Sequence, residues 1–132
     1  MLKMTSCAVK LACTLACVFV FTPAHAEVLD SAGIRKLVTG RTIYLAAPLG
    51  GEFPLNYRPD GTVTGDGTAV GLGRFLAAKE TGRWSVSGDL LCQQFPTWNK
   101  GARVCFTLER LGDGKIRWVQ TNGDQGLARL GN

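Results

Sequence analysis

From Gly40 onward the chain is a succession of short apolar runs, each broken by Gly, Pro or Asp. No run is long enough for the continuously apolar strand of a parallel sheet or for a long buried helix. Instead the runs alternate. Thr42–Leu45 reads as a strand, and Phe53, Leu55 and Tyr57 alternate with Pro54, Asn56 and Arg58. Pro59-Asp60-Gly61 is a turn, and Thr62–Thr64 returns from it. Trp84 and Val86 alternate within Gly82–Ser87, and Asp89–Phe95 follows a Ser-Gly-Asp turn. Val104, Phe106 and Leu108 alternate, then Leu111–Gly114 turns the chain into Lys115–Gln120, where Ile116 and Trp118 share one phase. Leu127–Leu130 supplies a last strand. Period-two patterning with tight turns predicts an antiparallel meander. Seven or eight strands suit a small barrel or strongly curled sheet, which limits exposed edges. The fold class expected is therefore mainly β, with one short N-terminal helix.

That helix begins at Asp30 or Ser31, whose side chain can accept from the first free backbone N–H groups. Ile34, Leu37 and Val38 fall on one stripe, and Gly40 suits the left-handed position that ends a helix. The stretch Gly61–Gly73 holds five glycines but neither the Gly-Lys-Ser/Thr of a phosphate loop nor a complete Gly-x-Gly-x-x-Gly. It reads as turns between strands, and Gly73–Gly82 as an irregular flap.

The start of the chain has another purpose. Lys3 and Lys10 precede an apolar run of eleven residues, Leu11–Phe21, followed by Pro23 and Ala24-His25-Ala26. A helix of that length rises only about 16 Å, too short for a hydrocarbon core of about 30 Å. A basic start, a short apolar stretch and an Ala-x-Ala ending predict a signal peptide over residues 1–26, cleaved after Ala26. A retained anchor would need a longer run. A lipoprotein would want Leu where Lys10 and Thr14 stand, three before Cys13 and Cys17. The expected product is one β-rich domain, residues 27–132, in the periplasm.

Cleavage removes Lys3 and Lys10 and lowers the net charge from +5 to +3. That mild, unclustered charge gives no reason to expect a nucleic-acid partner, and no membrane span remains after cleavage. Cleavage also removes His25, the one histidine of the chain. Ser-His-Asp and Cys-His nucleophile systems need an imidazole as proton acceptor. Catalytic zinc and non-haem iron sites normally use several histidines. No cofactor and no metal are expected. Carboxylate chemistry remains open, but Asp60, Asp66 and Asp113 each precede Gly in turn sequences, and the other acids are scattered.

Two cysteines remain after cleavage, Cys92 and Cys105. In an oxidising compartment they predict a disulfide. If Leu91, Gln93 and Phe95 face the core, Cys92 faces outward. If Val104, Phe106 and Leu108 face the core, so does Cys105 face outward. Pairing Cys92 with Cys105 puts Gln93 opposite Val104 and Gln94 opposite Arg103. The loop between them, Phe95–Arg103, is the leading site. An exposed Trp98 flanked by Asn99, Lys100 and Arg103 can stack on a sugar or peptide and hydrogen-bond its polar groups. The alternative has Trp98 folding back over the barrel end. Trp84 and Trp118 read as core. Tyr44 and Tyr57 read as core or cavity lining, and Arg58 and Arg74 as surface charge or an anion site.

Gly82-Arg83-Trp84-Ser85-Val86, then Leu91-Cys92 and Cys105-Phe106, preceded by Asp60-Gly61, resemble a family of small secreted bacterial proteins known as a domain of unknown function. The resemblance covers Gly40 to Trp118. It implies a lipocalin-like, β-rich periplasmic domain and brings no catalytic residues. The function expected is a non-enzymatic domain that binds a small ligand or an envelope component, at the barrel mouth or at Trp98. An inhibitor of a secreted hydrolase and a carboxylate-dependent hydrolase are the alternatives.

Overall fold

In the computed structural model, which describes residues 17–22, 25–47, 50–68 and 78–132, the alternation closes into a barrel. Its strands are β2 (Arg41–Ala46), β3 (Glu52–Tyr57), β4 (Thr62–Asp66), β5 (Lys79–Ser87), β6 (Leu90–Gln94), β7 (Val104–Gly112), β8 (Lys115–Gln120) and β9 (Gln125–Leu130). Each pairs antiparallel with the next, and β9 returns to β2 with Ile43 opposite Leu130. This eight-stranded up-and-down closure removes both sheet edges. A ninth strand, β1 (Glu27–Val28), which the alternation did not reveal, lies on the lower part of β7 with Val28 opposite Glu109.

Turn chemistry explains the hairpins. Asp113 and Gly114 both have positive φ, +52° and +71°, between the paired Gly112 and Lys115. That is the turn whose twist matches flanking strands and for which Asp-Gly is favoured. Asp60 accepts from the Thr62 N–H at 2.9 Å and fixes the β3–β4 turn. The expected flap over Gly73–Gly82 is corrected at its C-terminal end. Lys79–Gly82 belongs to β5, where Glu80 pairs with Gly65 and Gly82 with Val63. Residues 73–77, and Arg74 with them, lie outside the described residues.

One helix, α1 (Ser31–Val38), sits against one end of the barrel. Asp30 caps it, accepting from the Gly33 N–H at 2.8 Å, and Gly40 follows with φ +72°. An isolated helix of this length is marginal. It persists because Ile34, Leu37 and Val38 are buried in the core; each such side chain contributes about 1.5–3 kcal/mol when fully buried. The Ser31 N–H donates to Asp89 at 2.9 Å and ties the helix start to the β5–β6 turn.

The interior follows the pleat. Ile43, Leu55, Tyr57, Val63, Leu91 and Leu108 are buried, while their neighbours in sequence are exposed or half-buried, apart from Cys92, which the disulfide leaves buried on the other face. Tyr44 points out, beneath the Arg129 guanidinium 4.0 Å above its ring. Arg129 also holds Glu52 through two bonds of 2.5 and 2.6 Å. The three residues, on β2, β9 and β3, brace the seam from outside. Cys92 and Cys105 form the expected disulfide, in the expected register: Gln93 stands opposite Val104 and Cys92 opposite Cys105.

Candidate functional site

The barrel end opposite α1 is shaped by the loop that the disulfide closes. A short 3-10 turn, Trp98–Gly101, contains Asn99 and Lys100 at φ +54° and +58°. Left-handed backbone at two successive non-glycine residues is uncommon and needs support from its surroundings. Glu80 on β5 gives that support. Its carboxylate accepts from the backbone N–H of Thr97 at 3.1 Å and of Trp98 at 3.2 Å, and from the Thr97 hydroxyl. Gln94 donates to the Gly101 carbonyl at 2.8 Å and holds the other end of the turn. Burial works to raise the Glu80 pKa, but the Thr97 and Trp98 hydrogen bonds outweigh it and hold the carboxyl below its ordinary value.

The result is that Trp98 turns inward. It is 7% exposed and packs at 5.1 Å from the Phe53 ring and 4.7 Å from Phe95. Its indole lies over Gly65, where a Cβ would overlap the ring. Of the two readings of the loop, the structure has the one in which Trp98 folds back over the barrel end and not the exposed stacking platform: the backbone of the turn, pinned by Glu80, directs the ring inward. Asn99 stays exposed but contributes to the rim of the space beneath the indole. Lys100 and Arg103 are exposed and do not line the interior. Arg103 lies on the outer wall, in a shallow groove with Arg83, Cys92 and Gln94.

Below Trp98 the side chains leave a cavity of about 270 Å³. An eight-stranded barrel is just wide enough to be filled by side chains or to hold one small ligand. Here the small Ala128 on β9, paired with Ile116 on β8, stands on the lining. Among the described residues, the lining includes no Asp, Glu, Lys, Arg or His. Its polar groups are few. The Tyr57 hydroxyl donates to Gln93 Oε1 at 2.7 Å, both residues being buried. Burial pushes the Tyr57 phenol above its ordinary pKa of 10, so it stays a neutral donor. Asn99 and Gln120 lie on the lining as well.

A further polar atom, Trp118 Nε1, lies over Gly126 on β9. It is buried and has no hydrogen-bond partner among the described residues. The ring stands edge-on to Phe106, with centroids 5.7 Å apart, and covers Gly126. An indole N–H can only donate, and leaving a buried donor unpaired costs about 1–3 kcal/mol. Sequence reasoning placed Trp118 in the core but missed this unpaired donor. Its phase with Ile116 and Gln120 on β8 was the available signal, and Gln93 was likewise in phase with Leu91 and Phe95.

A carboxylate pair is the other arrangement to weigh. Asp66 and Glu80 both line a shallow surface pocket at the β4–β5 pair. Asp66 accepts from Thr68 and pairs with Lys79 at 3.2 Å, which lower its pKa as the loop contacts lower that of Glu80. Neither group is set up to carry a proton near neutral pH, as a general acid must. No three His, Cys, Asp or Glu among the described residues are grouped to hold a metal ion. No helix among the described residues is long and apolar enough to cross a membrane. Comparison with family models, curated proteins and solved structures finds no match to this chain.

Proposed function

We propose that the protein is an exported, non-enzymatic binding domain that holds a small, largely apolar molecule inside its barrel. The cavity of about 270 Å³ beneath Trp98 carries this reading. Its wall is hydrophobic and aromatic with a few fixed polar groups, the usual make-up of a ligand pocket. Asp66 and Glu80, which line one surface pocket, are both held below the ordinary carboxylate pKa, which favours binding over hydrolysis. Export to the periplasm with cleavage after Ala26 belongs to the same proposal. It is supported by the disulfide and by Val18–Phe21, which are 77–91% exposed and take no part in the core.

The test is titration with N-phenyl-1-naphthylamine, which brightens in an apolar site, against the protein and its Ala128→Leu variant. Ala128 lines the cavity, so a larger side chain there fills it. Saturable binding by the parent and its loss in a variant with unchanged circular dichroism support the reading. No binding by the parent, or equal binding by both, overturns it.

A further inference from the structure

Resting on the cavity reading, one buried amide points to the chemistry of the guest. We infer that the barrel takes an uncharged, mainly apolar molecule carrying a carbonyl oxygen, and that Gln93 Nε2 donates a hydrogen bond to that oxygen. Gln93 is 7% exposed, and no other amide and no charged side chain is buried among the described residues. Its Oε1 is taken up by the Tyr57 hydroxyl at 2.7 Å, which leaves the NH2 group over. Nε2 has no partner among the described residues, yet it is not sealed. Of the buried side-chain nitrogens and oxygens there that lack a partner, Trp118 Nε1 alone has under 1 Å² of accessible surface. The open side of the Gln93 amide is the cavity, because Tyr57, which holds it, lines the cavity and not the outer groove of Arg83 and Arg103. An amide NH2 can only donate, and a buried donor left unpaired is costly where a leucine would pack freely. The other amides on the lining are less enclosed, Asn99 being exposed and Gln120 half-buried. The lining has no charged side chain among the described residues, so an ionic group inside would lack a partner. Size sets the rest: a dry cavity of about 150 Å³ admits benzene, so 270 Å³ accommodates a guest of one or two rings or a short branched chain.

Gln93 is thus a specificity-determining residue. A guest with a carbonyl satisfies its NH2 group, and an apolar guest of the same shape leaves it unpaired. A matched pair of probes tests this: 2-acetylnaphthalene, and 2-isopropenylnaphthalene, in which a CH2 replaces the carbonyl oxygen. The ratio of their two dissociation constants is measured on the parent and on Gln93→Leu. Comparing ratios cancels both the different hydration of the probes and any change of cavity shape in the variant. The acetyl probe's standing relative to its twin should fall roughly three- to tenfold in the variant, the worth of one neutral hydrogen bond. On the parent, the Gln93 side-chain amide proton resonances should move downfield with the acetyl probe and not with its hydrocarbon twin. That second readout decides the matter if Gln93→Leu does not fold. Failure of both probes to bind the parent sinks the cavity reading itself. Binding of both with an unchanged ratio and no selective resonance shift overturns only the inference about Gln93.

Discussion

At the scale of single residues, two side chains determine what the barrel mouth looks like. Trp98 closes it and Glu80 holds Trp98 there. The glycine at position 65 is part of the same device, because only a residue without Cβ leaves room for the indole. Adding a side chain at such a contact usually costs about 1–3 kcal/mol. Glu80 makes the arrangement sensitive to acid. Its folded-state pKa lies below the ordinary value of 4.5. The stabilisation it supplies is therefore complete above that value and is lost as pH falls through the lower, folded-state pKa. The indole N–H resonance of Trp98 should hold steady from pH 7 to about 5 and shift only below the ordinary carboxylate pKa. In Glu80→Gln that acid step should vanish, and the resonance should already be displaced at neutral pH. An unchanged acid step in the variant would mean that another group controls the turn.

At the scale of elements, the β6–β7 pair shows how local patterning and a covalent link reinforce each other. Alternation of Leu91, Gln93 and Phe95 against Val104, Phe106 and Leu108 already predicts the register that places Cys92 opposite Cys105. The structure has that register, with the two Cα atoms 4.1 Å apart. Because the alternation alone specifies this register, the main effect of the link falls on the unfolded chain. Closing a loop of about 14 residues contributes roughly 3 kcal/mol. The double variant Cys92→Ala/Cys105→Ala should keep its far-ultraviolet circular dichroism and lose about that much stability in urea unfolding. A loss below about 1 kcal/mol would show that the loop is already ordered before folding. The helix α1 is legible in the same local way, from its Asp30 cap to its apolar stripe. The short β1 is not, because two exposed residues carry no period.

At the scale of the whole molecule, closure is the decisive event. β9 must find β2 across most of the chain, and the Glu52–Arg129–Tyr44 brace marks where they meet. Such long-range pairing is slow to form. The proposed export also belongs to this scale. The first residue after the expected cleavage, Glu27, begins β1 and lies 3.9 Å from Arg110 through its carboxylate. Protein recovered from the periplasm should have an intact mass that begins at Glu27 and is two hydrogens lighter than its reduced form. A full-length mass, or two free thiols, would contradict export with cleavage at Ala26.

The sequence by itself determined the features that depend on near neighbours. These are the strand phases, the Asp-Gly turns, the capped helix, the Cys92–Cys105 register and an antiparallel meander. Each follows from residues a few positions apart, because the pleat, the turn and the helix cap are local geometries. Only the tertiary structure decided which way the Phe95–Arg103 loop sends Trp98. That direction depends on left-handed backbone at Asn99, which Asn tolerates, and at Lys100, which Lys does not announce, and on Glu80, 17 and 18 positions away in sequence. It also separated the expected site residues, burying Trp98 over the cavity, leaving the exposed Asn99 at its rim and Lys100 and Arg103 away from it. The cavity and the unpaired Trp118 Nε1 arise in the same way. A void is the difference between the space eight strands enclose and the volume their inward side chains fill, and no segment of the chain holds that difference alone.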